Sequence, residues 1–440
     1  MLIPAAVARC LETLEQAGFE AYCVGGCVRD RLLGQEPHDF DLCASATPEE
    51  MKTLFHDQDL VLAGEKHGTV GVVTEEGVVE ITTFRKEGAY GDNRHPDRVE
   101  FVTDIRQDLA RRDFTVNAMA WSPKRGLQDP FGGEQDLKKG ILRCVGDPET
   151  RFREDALRIL RGVRFSVTYD LAPEPETERA MLALTELLDH LARERVYGEF
   201  CGFLPQITGE QLVKYAPIIT QVIPELKATV GFDQHSPHHR YDLYTHIAQV
   251  VDRVPGDLPL RWAALLHDVG KIPTFTRDET GRGHFYGHAQ AGAEMADAIL
   301  RRLKAPTALR QQAVLLIEQH MTRLMPEKRL LKRYLGRWGR ETVEQLLYLQ
   351  QADMGSKGVP GEEEQEQFEV LWALLKEVEQ ESTCLTRKDL ALTGLDLLSL
   401  GYQGREIGAR LEELLEAVLD ERVKNEKEAL LGYLKRAKTS

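Results

Sequence analysis

The sequence of 440 residues predicts an α+β amino-terminal part followed by an all-α remainder. Residues 1 to about 140 mix helical periodicity with short β-branched runs, and glycine-containing turns separate these segments. Nearly every segment after about residue 145 shows the 3.6-residue spacing of amphipathic helices. At roughly 100–200 residues per domain, a chain of this length is expected to form two to four domains.

Composition excludes several classes of protein. Hydrophobic residues make up 42% and charged residues 29% of the chain, which is typical of a globular protein. No apolar run approaches the ~18 residues of a spanning helix, and no secretory signal begins the chain, so we expect no membrane association. The seven cysteines lack metal-binding spacing and favour reduced thiols in the cytoplasm. Because the net charge is −15, a nucleic-acid partner would require locally concentrated positive charge.

Three β-branched runs give the predicted strands of the amino-terminal part. They span Val70–Val73, Val78–Phe84 and Val99–Val102. The sequence Glu75–Gly77 between the first two runs predicts the turn of a β-hairpin. The segment Arg85–Asp97 is polar, contains glycine and has few core residues, so we expect a mobile loop between strands.

A pair of glycines follows a short apolar strand near residue 24. Gly25 and Gly26 lead into an amphipathic segment that carries Arg29. Glycines let backbone amides approach a phosphate closely at a helix start, and a guanidinium adds a charged fork for phosphate oxygens. The alternative interpretation is an ordinary strand-to-helix turn.

Two acids separated by one residue predict a metal site. On a strand, Asp39 and Asp41 would point to one face while Phe40 points to the core. Converging carboxylates repel each other unless a cation lies between them, and magnesium is commonly held this way together with substrate phosphates. Glu80, an acid in an apolar strand, is a candidate third carboxylate. The alternatives are two surface aspartates in a turn and a glutamate that faces solvent.

An arginine-rich amphipathic helix is predicted over Arg151–Val167. Asp155 and Arg158 would share one face of it, and Arg161 and Arg164 extend the same row. An isolated pair with this spacing is more often a surface ion pair.

Histidines and aspartates recur on successive predicted helices of the second half of the chain. Neutral imidazoles and carboxylates are common ligands of transition metals. A single such histidine is usually structural, but this ordered series predicts a metal centre. The series is His246, His267, Asp268, His288, His320 and Asp353.

Positive charge is concentrated in Arg323–Arg340, where Tyr334 and Trp338 lie among the cations. A basic face with aromatic side chains suits RNA binding, and a plain basic amphipathic helix is the alternative. Leu385–Lys438 predicts two or three further helices. The glycine-bearing segment Gly401–Gly408 within them predicts a helix start that could meet phosphate.

The motifs of the first 164 residues together resemble one family. Their order resembles the class II tRNA nucleotidyltransferase and bacterial poly(A) polymerase family. This resemblance implies a polymerase-β-like nucleotidyltransferase head, a helical neck, and template-free addition of nucleotides to an RNA 3′ end. The segments that carry it are Gly25-Gly26, Val28–Asp30, Asp39–Asp41, Arg111–Met119, Asp129–Gly133 and Glu154–Arg161.

The same resemblance implies roles for the candidate residues. Asp39 and Asp41 would bind Mg²⁺ as catalytic carboxylates, with Glu80 as the candidate third. Gly25, Gly26, Arg29 and Arg112 would contact the nucleotide, CTP or ATP, and tRNA would be the partner. Asp155 and Arg158 would read the base, with Arg161 and Arg164 in nucleotide contacts nearby. The carboxylate accepts from the amino group that cytosine and adenine share, and the guanidinium donates to their ring nitrogen.

Three segments favour CCA addition over poly(A) synthesis. Val61–Val73 does not resemble the arginine-rich stretch of poly(A) polymerases, and Arg193–Val196 with Glu199 resembles the neck motif of CCA-adding enzymes. The Arg85–Asp97 loop resembles the one used for adding the terminal A. Two alternatives stay open: a poly(A) polymerase or A-adding enzyme, and an RNA-binding phosphohydrolase with an inactive head. Division of CC and A addition between two proteins and the oligomeric state are left open by the sequence.

The histidine and aspartate series resembles the HD phosphohydrolase superfamily. The resemblance implies one metal site of His246, His267, Asp268 and Asp353, and a second with His288 and His320 to which Asp268 could bridge. It implies phosphatase or 2′,3′-cyclic phosphodiesterase activity on RNA ends, and the identity of the transition metal stays open. The expected domains are a head (1–142), a neck (143–230), an HD domain (231–358) and an RNA-binding tail (359–440).

Overall fold

A computed structural model describes residues 2–87, 99–235, 240–357, 362–381 and 384–437 of the chain. It divides into two compact units. The first consists of Met1–Ile207 with Lys214–Pro224, and the second of Thr208–Val213 with Glu225–Ser440.

Short strands are concentrated in the first unit. They are β1 (Ala21–Val24), β2 (Leu42–Ala44), β3 (Leu60–Val61), β4 (Thr69–Thr74), β5 (Gly77–Thr83), β6 (Arg85–Glu87), β7 (Val99–Phe101), β8 (Ala120–Ser122), β9 (Gly126–Gln128), β10 (Ile141–Leu142) and β11 (Ala172–Pro173). The second unit adds β12 (Thr276–Arg277) and β13 (Gly283–His284).

Helices make up most of the remainder of the described chain. Those that begin before residue 220 are α1 (Ala5–Gln16), α2 (Gly26–Leu32), α3 (Pro48–Leu54), α4 (Ile105–Ala110), α5 (Gly133–Lys138), α6 (Pro148–Glu154), α7 (Leu157–Thr168), α8 (Pro175–Ala183), α9 (Arg193–Phe203), α10 (Gly209–Lys214) and α11 (Ala216–Val222). The later ones are α12 (Leu243–Arg253), α13 (Leu258–Leu266), α14 (Lys271–Thr274), α15 (His288–Arg302), α16 (Thr307–Gln319), α17 (Lys328–Trp338), α18 (Arg340–Lys357), α19 (Glu362–Gln380), α20 (Gly394–Ser399), α21 (Arg405–Leu419) and α22 (Lys427–Ala437). Short 3-10 turns occur at Glu65–His67, Thr115–Asn117, Thr185–His190, Pro224–Thr229 and Arg387–Asp389.

The fold class predicted from the sequence is confirmed: a sheet-containing head precedes a helical remainder. Within the described residues, seven strands form one mixed sheet in the order β3-β4-β5-β2-β1-β8-β9. The strands β2 and β5 pair in parallel, whereas the other neighbours in this sheet are antiparallel. The parallel register aligns Leu42 with Ile81, so the preceding residues, Asp41 and Glu80, come side by side.

Both faces of this sheet are buried, which follows from the alternation of side chains along its central strands. On one face Cys23 of β1 packs with Leu11 of α1 and Met51 of α3. On the other face Tyr22 of β1 packs with Leu109 of α4. The polar ends of β1 and β2 are therefore left to form the rim of the cavity described below.

The predicted hairpin is confirmed. The strands β4 and β5 pair antiparallel from Thr69 with Thr82 to Thr74 with Gly77, so Glu75 and Glu76 form the turn between them.

Three predicted elements differ from the structure. Asp39–Asp41 was expected on a strand but lies in the extended segment directly before β2. Arg85–Glu87, expected in a loop, forms β6 and pairs with β7, while residues 88–97 of that loop lie outside the described residues. The predicted helix Arg151–Val167 is two helices, because Asp155 takes an extended conformation with φ −141° and ψ 103° and ends α6.

In the second unit, aspartates begin α12 and α13. Asp242 accepts hydrogen bonds from the backbone amides of Tyr244 and Thr245, and Asp257 accepts one from Leu260. Leu397, Leu414 and other apolar residues of α20–α22 form a separate core near the carboxyl end. None of the described helices combines the length and the hydropathy needed to cross a lipid bilayer.

Candidate functional site

One cavity of the first unit, with a volume of about 890 Å³, brings together the residues predicted to bind nucleotide and magnesium. Its lining includes Gly25, Gly26, Arg29, Asp39, Asp41, Glu80, Arg112, Asp155, Arg158, Arg161 and Arg164. The cavity therefore contains both acids, from the segment before β2 and from within β5, and many arginines.

The glycine pair forms the corner between β1 and α2. Gly25 has φ 76°, a left-handed conformation that side chains with a Cβ rarely adopt. A Cβ at this position would lie 2.8 Å from Nη1 of Arg112. Glycine is thus favoured by the left-handed turn, and the lack of a Cβ leaves room for Arg112 beside it.

Three carboxylates, those of Asp39, Asp41 and Glu80, line the cavity. The backbone of Asp41 is fixed to β1, since its carbonyl accepts a hydrogen bond of 3.0 Å from the amide of Val24. Withdrawal from solvent raises the pKa of Asp41, and the charges of Asp39 and Glu80 raise it further against the opposing effect of Arg112. This mutual repulsion and the all-oxygen donor set fit a hard divalent cation such as magnesium.

Arg29 lines the cavity but is only 5% exposed. Its guanidinium donates to Asn117 Oδ1 at 2.6 Å and to Asp30, and it lies 4.0 Å from the ring centroid of Tyr169. Several of its donors are already used by protein groups, so Arg29 also holds α2 against neighbouring elements.

The prediction that Asp155 and Arg158 share one face of a single helix is wrong. Because Asp155 precedes α7, its Oδ1 accepts from the backbone amide of Leu157 at 3.0 Å, and its Oδ2 accepts from Arg195 Nη2 at 3.0 Å. Arg158 instead binds Glu154 at 2.8 Å and the carbonyl of Arg111 at 2.9 Å. The two side chains are thus held independently, and both line the cavity.

Arg161 and Arg164 have acidic partners of their own. Arg161 forms an ion pair of 2.6 Å with Asp113, and Arg164 one of 2.7 Å with Glu199. Burial raises the pKa of Asp113, but the charge of Arg161 and a hydrogen bond from the amide of Phe114 outweigh it and lower that pKa to about 2. Asp113 is therefore ionised and fixes Arg161 at the cavity.

Sequence reasoning assigned no individual role to three further residues of the cavity: Asp113, Asn117 and Arg195. Asp113 Oδ1 accepts from Asn117 at 3.2 Å, and Asn117 in turn binds Arg29. The motifs Arg111–Met119 and Arg193–Val196 contained all three, but the long-range partners of these residues are visible only in the folded chain.

The predicted metal ligands of the second unit also come together. They are supplied by α12 (His246), the end of α13 (His267 and Asp268), the first residue of α15 (His288), the end of α16 (His320) and α18 (Asp353). Within the described residues, two groups of three or more side chains have ligand atoms that all lie within 4.8 Å of one another, close enough to hold a metal ion. One is His246, His267, Asp268 and Asp353, and the other is Asp268, His288 and His320.

The distances between donor atoms are short, and the group is buried. His246 Nε2 lies 3.1 Å from Asp353 Oδ1 and 3.3 Å from Asp268 Oδ2. His267 Nε2 and Asp353 Oδ1 are buried without a hydrogen bond to the described part of the chain. Buried donors of this kind, made of imidazole nitrogen and carboxylate oxygen, fit a divalent transition metal.

Electrostatics favours the neutral form of His288 and His320, the two histidines of the second group. Burial and the neighbouring His267 lower the pKa of His320 to about 4, and burial lowers the pKa of His288. Neutral imidazoles, which bind metals, are therefore preferred at neutral pH. Lys271 and Lys357 balance the acids, at 2.7 Å from Asp268 Oδ2 and 2.6 Å from Asp353 Oδ2.

The basic stretch that was a candidate RNA surface is largely paired with acids. In α17, Lys328 binds Glu377 at 2.8 Å and Lys332 binds Glu421 at 3.0 Å. Arg329 and Arg333 pair with acids of α21. The rings of Tyr334 and Trp338 stack on each other at 5.3 Å. These contacts favour the alternative interpretation, in which the helix packs against α19 and α21.

Two family models match the parts of the chain that contain these residues. The Poly A polymerase head domain model matches residues 21–143, and the HD domain model matches residues 242–354. The first range contains the three cavity carboxylates, and the second contains all six predicted metal ligands of the second unit.

The relatives that this chain matches are CCA-adding enzymes, and some of the matches cover nearly the whole chain. The CCA-adding enzyme of Levilactobacillus brevis is 35% identical over 432 residues, which are 96% of this chain and 95% of the relative. That of Ligilactobacillus salivarius is 42% identical over a shorter segment, 54% of this chain and 61% of the relative. Among solved structures, the Bacillus stearothermophilus CCA-adding enzyme in complex with CTP has a TM-score of 0.70 at 28% identity, covering 100% of this chain and 99% of that one.

Proposed function

The chain belongs to the family of CCA-adding enzymes, and we propose that it builds and repairs the 3′-terminal CCA of tRNA from CTP and ATP with release of pyrophosphate. The observation that carries this proposal is the cavity of the first unit. There Asp39, Asp41 and Glu80 share one cavity with Asp155 and the arginines. One site thus offers a place for a metal-bound triphosphate and groups that can recognise a base.

The carboxylates serve the phosphate end of the nucleotide. Asp39, Asp41 and Glu80 would hold magnesium, which when bound neutralises the triphosphate charge and orients it for in-line displacement. Arg112, beside the Gly25 turn, is positioned to contact phosphate oxygens. The 3′ hydroxyl of the RNA then attacks the α-phosphate, and the bond to the pyrophosphate breaks.

Asp155 and Arg158 serve the base. Cytosine and adenine present an amino donor beside a ring-nitrogen acceptor, which match a carboxylate and a guanidinium. Uracil and guanine present a carbonyl beside a ring N–H, which leaves both protein groups mismatched. Each mismatch of a buried group costs about 1–3 kcal/mol, enough to refuse UTP and GTP. The hydrogen bonds from Leu157 and Arg195 to Asp155 support this role because they fix its carboxylate.

The second unit adds a second chemistry to the proposal. His246, His267, Asp268 and Asp353, with His288 and His320, would hold one or two transition-metal ions, which when bound can activate water for attack on a phosphoester. The substrates we propose are phosphomonoesters or 2′,3′-cyclic phosphates at RNA ends. These six side chains form two adjoining groups of donors and are largely buried, which supports an active metal centre.

The proposed organisation keeps the four domains expected from the sequence: head, neck, HD domain and RNA-binding tail. We also propose a cytoplasmic location, which the seven free cysteines support.

The decisive experiment supplies the protein with tRNA lacking its CCA end and with labelled CTP and ATP. Ordered incorporation of two C residues and one A supports the proposal. Homopolymeric A tails on arbitrary RNA would point to a poly(A) polymerase, and a single added A to an A-adding enzyme. No incorporation with intact phosphohydrolysis would point to an RNA-binding phosphohydrolase with an inactive head.

A substitution at the base site tests the selection mechanism. Asp155→Ala removes the acceptor for the amino group, so discrimination of CTP against UTP should fall about tenfold or more. The measurement is the ratio of kcat/KM for the two nucleotides. Retained discrimination would show that the base is read elsewhere.

A further inference from the structure

A second cavity, of about 490 Å³, opens beside the metal-ligand group of the second unit. Two of the proposed ligands, His320 and Asp353, form part of its wall. The other lining residues come from the connection between α16 and α17, from α18 and from α19. They are Met321, Thr322, Arg323, Leu324, Gln350, Met354, Lys357, Gln367, Phe368 and Leu371.

The charges around this cavity favour an anionic ligand. Lys357 is paired with Asp353 at 2.6 Å, and the cations of α17 that follow in the sequence are paired with acids of α19 and α21. Arg323 differs, because no acid of the described chain forms an ion pair with its exposed guanidinium. A guanidinium at the rim of a cavity that ends at a metal group is suited to hold a phosphate.

One part of the remaining wall is apolar. Leu324, Phe368 and Leu371 are nearly buried and line it together with the half-buried Met354. Gln350 is fixed in place, since its Nε2 donates to the carbonyl of Thr322 at 2.7 Å. The volume is within the range of about 300–1,000 Å³ that small-molecule sites occupy. The cavity therefore has room for one compact organic group as well as a phosphate.

We propose that this cavity is the substrate site of the metal group, with Arg323 holding the phosphate and the Leu324–Met354–Phe368 wall holding one attached nucleoside. The inference rests on the proposed phosphohydrolase function and deepens it by naming the binding residues and the size of the substrate. A free nucleotide and the phosphorylated terminal nucleoside of an RNA present the same chemistry to this site.

The test measures binding to the full chain in the presence of Mn²⁺ by titration calorimetry, with inorganic phosphate and uridine monophosphate as probes. Uridine is chosen because the head is expected to refuse it. The wild-type protein should bind uridine monophosphate more tightly than phosphate. Arg323→Gln should weaken both probes about tenfold or more, since it removes a charged hydrogen-bond donor. Arg337→Gln removes an exposed cation of the same stretch outside the cavity and should change neither.

The apolar wall has its own pair of variants. Gln367→Trp fills the nucleoside part of the cavity, so it should weaken uridine monophosphate about tenfold and leave phosphate unchanged. Val370→Trp, at an exposed position of α19 outside the cavity, is the matched control. A short RNA with a 3′-terminal phosphate is a further probe. If Gln367→Trp weakens the binding of this RNA or of the free nucleotide, the proposal is supported, and the ligand that is weakened is the one that the site takes.

Failure of this inference is distinct from failure of the proposed activity. Equal binding by Arg323→Gln and the wild type, or equal binding of both probes by the wild type, overturns the substrate site. If hydrolysis of phosphoesters persists with unchanged KM in Arg323→Gln and Gln367→Trp, the activity is correct and the site is wrong. If the predicted binding pattern appears without hydrolysis, the site is correct and the activity is wrong.

Discussion

The carboxylate of Asp155 is held from two sides at the point where two helices meet. Its Oδ1 accepts the amide of Leu157, and its Oδ2 accepts Arg195 from α9. The motif around Asp155 was readable in the sequence, but its partner in α9 was not, because 40 residues separate the two positions. At the residue scale, motifs predict which side chains belong to the site and leave open which neighbours fix them.

Loss of the Arg195 contact should loosen base selection. In Arg195→Gln, Asp155 keeps its bond to Leu157 but loses a charged partner worth about 1.5–3 kcal/mol, so its carboxylate can rotate away from the base. We expect discrimination of CTP against UTP, as a ratio of kcat/KM, to fall about tenfold while correct incorporation falls less.

Glu194→Gln is the matched control for this prediction, since it changes an exposed neighbour on the same helix. It should leave discrimination unchanged. Equal discrimination by Arg195→Gln and the wild type would mean that Asp155 needs no support from α9.

Helices and strands were predictable from the sequence where they depend on residues close together in the chain. Two β-branched runs and the glycine-containing turn Glu75–Gly77 predicted the β4–β5 hairpin, and helical spacing predicted the helices that carry the metal ligands. The break between α6 and α7 was missed because apolar spacing continues across it. At the end of α6 the Asp155 side chain accepts the backbone amide of Leu157, the first residue of α7, so a competing hydrogen bond overrides the helical period at Asp155.

One close packing contact between elements gives a stability prediction. A Cβ on Gly133, the first residue of α5, would lie 2.1 Å from the carbonyl oxygen of Thr115. Because the obstacle is backbone, Gly133→Ala should destabilise the protein by about 1–3 kcal/mol. Gly198→Ala on α9, where a Cβ would meet no atom within 4 Å, should instead stabilise by about 0.5–1 kcal/mol.

Thermal unfolding of the full-length variants, followed by calorimetry, compares these two substitutions. The transition of Gly133→Ala should shift to lower temperature and that of Gly198→Ala should not. An unchanged transition for Gly133→Ala would mean that α5 can move away from Thr115 at little cost.

The whole molecule has a net charge of −15, and a nucleic-acid substrate is compatible with this charge because the cations are concentrated locally. Arginines line the cavity of the first unit, whereas most cations of α17 are neutralised by acids of the tail. The sequence located both basic stretches, but the contrast between them depends on how many acids lie beside each in the folded chain. The cavity arginines have acidic partners as well, yet among the described residues eight arginines line that cavity with only five acids.

The two proposed chemistries use separate sets of residues. The cavity carboxylates all belong to the first unit, and the six metal-ligand candidates all belong to the second. Asp39→Ala should therefore lower nucleotide incorporation about 100-fold or more, because a metal ligand worth several kcal/mol is lost, and should leave phosphohydrolysis intact. His267→Ala should do the reverse. Both rates are measured on the same preparations, with tRNA lacking CCA and with an RNA bearing a 3′-terminal phosphate. Loss of both activities in either folded variant would contradict independent sites, and unchanged incorporation in Asp39→Ala would remove that aspartate from the metal site.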